Sequence, residues 1–149
     1  MIRRIAAGET RPLRQRVLRP NQPFEDTGYA GDDDPSTVHV GAFAGDRLVG
    51  VASIYREQRA GTDAAAGGGW RLRGMATAPE ARGRGHARAM LAACIDYVGA
   101  CGGGELWCNA RTPATGFYRV AGFEEVGDEF DIDGIGPHVV MRLSVASAG

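Results

Sequence analysis

Residues 75–87 read Met75-Ala76-Thr77-Ala78-Pro79-Glu80-Ala81-Arg82-Gly83-Arg84-Gly85-His86-Ala87, and they decide the fold. The segment at residues 70–77 alternates apolar and basic side chains as a β-strand does, whereas apolar residues beyond Gly85 recur at helical spacing. Gly83 and Gly85 therefore lie between a strand and a helix. Because glycine has no Cβ, backbone N–H groups there can converge on an anion at the positive end of the helix. The stretch predicts a phosphate or pyrophosphate site.

The helix that follows is the clearest element of the chain. Its apolar side chains share one face, and they are Ala87, Met90, Leu91, Cys94, Val98 and Cys101. Three glycines at residues 102–104 end it, and residues 105–109 predict a short buried strand. A second helix is predicted to begin with Thr112 as its cap and Pro113 at the first helical position, and to stop by Gly122.

Further strands and another helix are predicted outside this centre. An apolar start at Ile2 and Ile5 precedes a predicted helix over residues 10–19, with Pro12 in its first turn. A hairpin turn at residues 44–47 and a loop at residues 131–137 each separate two strands; the four strands are predicted at residues 38–43, 48–55, 124–130 and 138–145. Residues 60–69, rich in alanine and glycine, predict a flexible hairpin loop. The result is an α+β fold, with a central mixed, mostly antiparallel sheet of six to seven strands flanked by helices.

Length and composition indicate one domain over residues 1–149. All 17 basic residues are arginine, which excludes enzymes that need a lysine nucleophile or Schiff base and P-loops that need a Gly-Lys pair. A net charge of −1 provides no overall field for nucleic acid or an anionic membrane surface. No segment has the length of a bilayer span or the pattern of a signal peptide. We expect a cytoplasmic protein that binds neither nucleic acid nor membrane.

Three cysteines, Cys94, Cys101 and Cys108, are spaced seven residues apart. This number and spacing fit neither a disulfide framework nor the C-x-x-C pairs of a zinc site. We therefore expect three buried thiols and no metal.

Charge is spread unevenly along the chain. Residues 1–20 carry six arginines against Glu9, and residues 21–46 carry six acids and no base. Residues 71–88 carry a net charge of +4, and residues 120–149 a net charge of −5. Either these segments pair with one another in the fold, or residues 71–88 favour an anion and residues 120–149 a cation. The sequence leaves both interpretations open.

Two motifs in the second half of the chain carry a family resemblance. The first is Arg82-Gly83-Arg84-Gly85-His86-Ala87, and the second is Ala114-Thr115-Gly116-Phe117-Tyr118-Arg119-Val120-Ala121-Gly122-Phe123. They resemble the Arg/Gln-x-x-Gly-x-Gly/Ala signature and the A-x-x-F-Y-x-x-x-G-F element of the GNAT superfamily of acetyl-coenzyme A-dependent N-acetyltransferases. The motifs cover residues 75–87 and 109–123, and the order of elements extends the resemblance over residues 2–145.

The resemblance implies that acetyl-coenzyme A binds at the loop and that an acceptor amine attacks its thioester directly. Backbone amides of residues 82–87 would hold the pyrophosphate, and the edge of residues 75–77 would pair with the pantetheine arm. A backbone N–H near Met75 would polarise the thioester carbonyl, and Tyr118 would protonate the departing thiolate. Asn109 would bond the pantetheine or the acceptor. The implied donor site comprises Met75, Ala76, Thr77, Arg82, Gly83, Arg84, Gly85, His86, Ala87 and Asn109.

Structural roles for several of these residues stay open. Tyr118 is otherwise a core aromatic residue, and Asn109 is otherwise a cap at the end of its strand. His138 either lines the acceptor pocket or is structural, and His39 has no assigned role. No general base is evident, and the acids expected near the site are Glu57, Asp131 and Asp133.

The acceptor amine is not identified by any motif, and both a monomer and a homodimer are open. Acidic residues 124–133 and the run Asp32-Asp33-Asp34 could attract a cationic amine. A non-catalytic acyl-coenzyme A sensor or scaffold with a GNAT-like fold is the main alternative, which thiol release on turnover would exclude. A dinucleotide-binding oxidoreductase is disfavoured because Arg88 replaces the third glycine of its fingerprint. RNA binding is disfavoured because no aromatic residues are interleaved with the Arg-Gly-Arg-Gly run.

Overall fold

The computed structural model describes residues 1–62 and 68–149. Within them, seven strands form a sheet in the order β1-β2-β3-β4-β5-β7-β6. The strands are β1 (Ile2–Ile5), β2 (Val38–Ala44), β3 (Arg47–Arg56), β4 (Gly69–Thr77), β5 (Gly104–Arg111), β6 (Glu124–Ile132) and β7 (Gly136–Val145). The α-helices are α1 (Ala7–Leu13), α2 (His86–Ala100) and α3 (Thr115–Val120). A π-helical turn (Arg14–Leu18) and 3-10 turns (Phe24–Thr27, Pro79–Ala81 and Thr112–Ala114) complete the described elements. The predicted α+β fold with its mixed sheet is confirmed.

Two compact units divide the chain. The first unit is Met1–Arg56 with Leu72–Tyr97, and the second is Glu57–Arg71 with Val98–Gly149. Strand β4 contributes its first three residues to the second unit and the rest to the first. A single domain over residues 1–149 stays a prediction.

In the first unit, β2 and β3 form the predicted hairpin. Ala44 pairs with Arg47, and β1 adds to the other edge of β2, both in antiparallel register. Gly45 occupies the two-residue turn with φ +61°, a conformation that glycine adopts without strain. Residues 49–55 of β3 are buried on both faces of the sheet, and Val51 and Ile54, which point to opposite faces, are fully buried.

Helix α2 packs its apolar face against β3 in the same unit. Met90, Leu91 and Cys94 are almost completely buried, as their spacing predicts. The Met90 side chain covers Gly50, where an added Cβ would lie 2.9 Å from Met90 Cε.

In residues 1–62 and 68–149, no helix combines the length and apolar character needed to cross a membrane.

In the second unit, residues 69–71 of β4 pair in parallel with residues 105–107 of β5. Strand β5 pairs antiparallel with β7 along its whole length, and β7 pairs antiparallel with β6. Charged side chains of the second unit form ion pairs. Glu105 accepts hydrogen bonds from Arg59 at 2.9 and 3.0 Å, and Arg142 contacts Glu124 at 2.6 Å. Neither pair joins two of the unevenly charged segments, whereas the Arg14–Asp32 ion pair of the first unit joins residues 1–20 to residues 21–46.

The first helix differs from its prediction. It begins at Ala7 rather than residue 10, because the Glu9 carboxylate accepts a hydrogen bond from the Ala6 N–H at 2.6 Å and caps the helix earlier. Pro12 consequently lies inside α1 and not in its first turn. Helix α1 ends at Leu13, and the π-helical turn follows directly from Arg14.

The boundaries near the C-terminus also differ. Thr112 does not cap a helix: residues 112–114 form a 3-10 turn without a side-chain cap, and α3 begins at Thr115, whose hydroxyl donates to the Thr112 carbonyl. The predicted loop at residues 131–137 is shorter, because Asp131 pairs with Pro137 and extends the β6–β7 hairpin. Pairing to the neighbouring strand, which local patterns do not show, sets the boundary of this hairpin.

Cys94 and Cys108 are buried as predicted, but Cys101 is exposed, because α2 ends at Ala100 and the chain turns at the glycines that follow.

The predicted flexible loop at residues 60–69 is described only in part. Residues 63–67 lie outside the described residues, and Gly69 already belongs to β4.

Gly103 connects α2 to β5 under tight steric constraint. Its φ is +80°, and a Cβ there would lie 2.5 Å from the Val145 carbonyl oxygen and 2.8 Å from the Ser147 nitrogen. We expect Gly103→Ala to lower the free energy of unfolding by about 2–4 kcal/mol, from backbone strain plus overlap with the chain. Gly102→Ala is the matched control, because φ there is +101° but nothing lies within 4 Å. Urea unfolding of both variants tests this, and equal losses would contradict the steric argument.

Candidate active site

The loop between β4 and α2 has the backbone that the sequence predicts. Gly83 and Gly85 have φ values of +78° and +84°, in the left-handed region that favours glycine. A Cβ at either position would meet nothing within 4 Å. Backbone conformation, rather than packing, therefore requires glycine here, and the space in front of the loop is open.

The loop ends at the positive end of a 15-residue helix. The Ala89 N–H donates to the Gly85 carbonyl at 3.0 Å, which makes Gly85 the last residue before α2. The amides of His86, Ala87 and Arg88 belong to the first turn, where a helix offers no acceptor for them. Arg82 and Arg84 are exposed beside these amides, whereas His86 and Ala87 are half-buried. The arrangement can bind a phosphate through N–H groups, the helix dipole and guanidinium groups.

The turn that leads into the loop is tied to other parts of the first unit. The Ala78 N–H donates to the Val49 carbonyl at 2.8 Å. Glu80 accepts hydrogen bonds from Arg16 and Arg47, and the bond from Arg16 lowers the pKa of Glu80 to about 2. Glu80 is the sole acid of residues 71–88, so these contacts occupy its charge and leave the loop arginines to attract an anion.

Residues 75–77 form the end of β4, next to this loop. Met75 and Thr77 are half-buried, and Ala76 is buried. Gly74, directly before them, has φ +68°. This left-handed φ departs from extended backbone inside the strand, and we call this local departure the bulge at Gly74.

Asn109 and Tyr118 lie in the second unit, apart in the chain from the loop residues of the first. Asn109 is half-buried in β5 opposite Val140, and because β5 continues to Arg111 it is not a cap at the strand end. Tyr118 is buried in α3.

Tyr118 combines a packed ring with a polar hydroxyl. The rings of Phe117 and Phe123 contact it edge-on, with centroids 5.1 and 5.4 Å away. Burial raises the pKa of Cys108 to about 12, although a hydrogen bond with Tyr118 opposes this shift. The Cys108 thiol therefore stays protonated at neutral pH next to the Tyr118 side chain.

The other candidate residues take varied positions. His138 is buried, with Nδ1 2.8 Å from the Gly136 carbonyl oxygen and its ring stacked on Phe130. Glu57 forms an ion pair with Arg71 at 3.2 Å. Asp131 and Asp133 are exposed.

Sequence reasoning missed a buried polar network in the first unit. Arg14 is completely buried and donates to the Thr27 carbonyl at 2.9 Å and to both oxygens of Asp32 at 2.8 and 3.1 Å. It also donates to the hydroxyls of Ser53 and Tyr55 at 3.1 and 3.0 Å. We call these residues, with His39, the Arg14 network. His39 contacts Ser53 Oγ at 2.6 Å, and Nε2 lies 2.9 Å from the Asp32 carbonyl oxygen, which it can meet only as a donor.

The run of three acids suggests a surface that attracts a cationic amine. Asp32 is not part of such a surface, because its carboxylate binds the Arg14 guanidinium. Burial raises the pKa of Asp32, but hydrogen bonds from Arg14, Tyr55 and the Tyr29 N–H outweigh burial and hold the pKa at about 2. Burial and the Asp32 contact raise the pKa of Tyr55. Asp32 is thus a permanent counterion of Arg14, and Asp33 and Asp34 remain at the surface.

Comparison with known proteins agrees with this architecture. Residues 24–145 match the family model of the acetyltransferase (GNAT) domain. The chain is 35% identical over 148 residues to the uncharacterized N-acetyltransferase YitI of Bacillus subtilis (strain 168), an alignment that covers 99% of this chain and 97% of that protein.

Solved structures share the fold at lower identity. ElaA of Escherichia coli has a TM-score of 0.75 at 18% identity, covering 95% of this chain and 97% of that one. An aminoglycoside 6'-N-acetyltransferase complexed with coenzyme A has a TM-score of 0.75 at 14% identity, covering 100% of this chain and 99% of that one. The family model and the 35% identical relative define this chain as an acyltransferase of the N-acetyltransferase class. The chain belongs to the GNAT acetyltransferase family, as its two motifs predict.

Proposed function

We propose that this protein transfers the acetyl group of acetyl-coenzyme A to an amine, with the acceptor attacking the thioester directly. The observation that carries the proposal is the pair of left-handed glycines, Gly83 and Gly85, facing open space at the start of α2. A diphosphate suits this loop because two closely spaced glycines leave its backbone amides free of flanking side chains at the start of a helix. A protein with the same fold has been solved with coenzyme A.

The donor is held by residues of the first unit. Backbone amides of residues 82–87 bind the pyrophosphate, and Arg82 and Arg84 add charge-assisted contacts. Residues 75–77 offer a strand edge to the pantetheine arm, whose amides pair with it as an added strand does. The half-buried Met75 and Thr77 accord with an edge of this kind.

The chemistry needs a polarised carbonyl and a protonated leaving group. Acetyl-coenzyme A supplies the activated acetyl group. The Met75 N–H donates a hydrogen bond to the thioester oxygen and stabilises the negative charge that develops there. Tyr118 donates its hydroxyl proton to the departing thiolate, and the proton that the attacking amine loses passes to water, from which Tyr118 is reprotonated. Asn109 bonds the pantetheine or the acceptor.

Calorimetry with coenzyme A and a thiol-release assay with a panel of amines test the proposal. We expect binding that weakens with added salt, and free thiol that appears only when acetyl-coenzyme A and an accepted amine are both present. The panel should pair amines of equal size and different net charge, because residues 124–133 retain exposed acids. Binding without thiol release for any amine would instead favour an acyl-coenzyme A sensor.

Tyr118→Phe separates catalysis from packing. We expect kcat to fall by about 10²-fold or more with KM for acetyl-coenzyme A little changed, because the variant keeps the ring contacts with Phe117 and Phe123 and loses a proton donor. Steady-state kinetics across pH measures this, and Tyr97→Phe, which alters a tyrosine on α2, is the control. An unchanged kcat would leave Tyr118 a core aromatic residue.

A further inference from the structure

A buried arginine lies directly against the bulge in β4 that precedes the candidate acyl site. A Cβ on Gly74 would lie 3.2 Å from Nε of Arg14 and 3.1 Å from Cε2 of Tyr29. The backbone of Gly74 therefore lies close to these two side chains, and a methyl group there would make tighter contacts with them than is usual. Its φ of +68° keeps the strand turned at this residue.

Asp32 holds the side chain of Arg14 and the backbone of Tyr29. Its carboxylate binds the Arg14 guanidinium through both oxygens and accepts the Tyr29 N–H at 2.9 Å. The Tyr29 ring lies between two guanidinium groups, with the Cζ atoms of Arg14 and Arg73 each 4.0 Å from its centroid. The support is therefore a rigid stack whose position follows from the bidentate pair.

The side of Arg14 that faces Gly74 makes no hydrogen bond. Within the described residues, its Nε is buried without a partner, whereas both terminal nitrogens are bonded. An unbonded buried N–H disfavours folding. Arg14 is thus held through its terminal nitrogens, which bond to other residues. Its contact with Gly74, next to Nε, is van der Waals packing and not a hydrogen bond.

We propose that Arg14 and Asp32 are positioning residues that fix the bulge at Gly74 and, through it, the direction of the Met75 N–H. Because the peptide unit between Gly74 and Met75 is planar, ψ of Gly74 sets where that N–H points. The inference rests on the proposed function, in which this N–H polarises the thioester carbonyl. A small rotation of this N–H then lowers the rate of acetyl transfer much more than it lowers the affinity for acetyl-coenzyme A.

The phosphate loop is anchored by different contacts. Its preceding turn is held by the Ala78–Val49 hydrogen bond and by Glu80 with its two arginines. Loss of the Arg14 support therefore leaves the pyrophosphate site in place. Turnover and coenzyme affinity should separate in variants of the Arg14 network.

Arg14→Lys is the principal variant, because lysine keeps the charge opposite Asp32 and loses the planar fork. We expect kcat to fall about 10- to 100-fold, the Kd for coenzyme A to stay within about twofold, and the Met75 amide resonance to shift in a two-dimensional NMR spectrum. Tyr29→Leu, on a half-buried side chain, serves as a second variant with the same expected pattern. Arg19→Lys, which alters a residue bonded to the Leu18 carbonyl, is the matched control and should change none of these.

Three results would overturn the inference. One is an unchanged kcat and Met75 resonance in a variant that only melts earlier. Another is a fall in kcat that a loss of coenzyme affinity fully accounts for. If Arg14→Lys does not fold, Tyr29→Leu decides by the same criteria. If the wild-type protein binds coenzyme A and acetylates no amine, the proposed function fails, and the positioning role is then judged by the Met75 resonance alone. A Met75 resonance that does not shift in the variants is the third result that overturns the inference.

Discussion

Replacing Gly85 with valine is expected to abolish tight binding of coenzyme A while leaving the protein folded. At φ +84° a β-branched residue is strained, so the loop relaxes and its amides no longer converge on one point. The added side chain also enters the open space beside the loop, where we propose that the diphosphate binds. We expect the Kd measured by calorimetry to rise about 100-fold or more, which corresponds to about 2.7 kcal/mol, with Gly85→Ala intermediate.

Gly45→Val is the matched control for this prediction. Gly45 has φ +61° and likewise nothing within 4 Å of its Cβ position, but it lies in the β2–β3 turn. The same kind of backbone strain there should lower the melting temperature and leave the Kd for coenzyme A unchanged. If Gly85→Val binds coenzyme A as tightly as the wild-type protein does, the phosphate site lies elsewhere and the proposed function loses its main support.

The central strand, loop and helix were predictable because their signals are local. Alternation over residues 70–77 matches β4, and helical spacing from Ala87 onwards matches α2. The left-handed backbone at Gly83 and Gly85 is permitted by the missing Cβ, a property of the residue itself. These features needed no knowledge of distant parts of the chain.

The Arg14 network was not predictable, because its partners are far apart in sequence. Arg14 contacts Asp32, Ser53 and Tyr55 across 18, 39 and 41 residues. Within the helical pattern an arginine reads as solvent-exposed, and nothing in a run of three aspartates distinguishes the buried member. The signal that could have helped is Gly74, a glycine inside a strand pattern, which indicates a bulge or a close approach.

Arg14→Met is expected to produce the largest loss of stability. Methionine fills much of the space of the arginine side chain but donates nothing, so the Asp32 carboxylate and the Thr27 carbonyl lose their bonds to the guanidinium. Removing one partner of a buried ion pair costs about 3–5 kcal/mol, mainly from the charge that remains. Chemical unfolding at pH 7 should show this loss. Arg16→Met, which breaks an exposed ion pair with Glu80, should show a much smaller one.

We expect the pH dependence of unfolding to identify Asp32 as the origin of this loss. Its pKa in the folded state is about 2, below the model-compound value of 3.8, so ionised Asp32 stabilises the wild-type protein above about pH 4 and ceases to do so as the pH falls through about 2. The difference in unfolding free energy between wild type and Arg14→Met should therefore be full at pH 7 and shrink steadily below pH 4. A difference that stays constant down to pH 2 would assign the loss to packing around Arg14 and not to the ion pair.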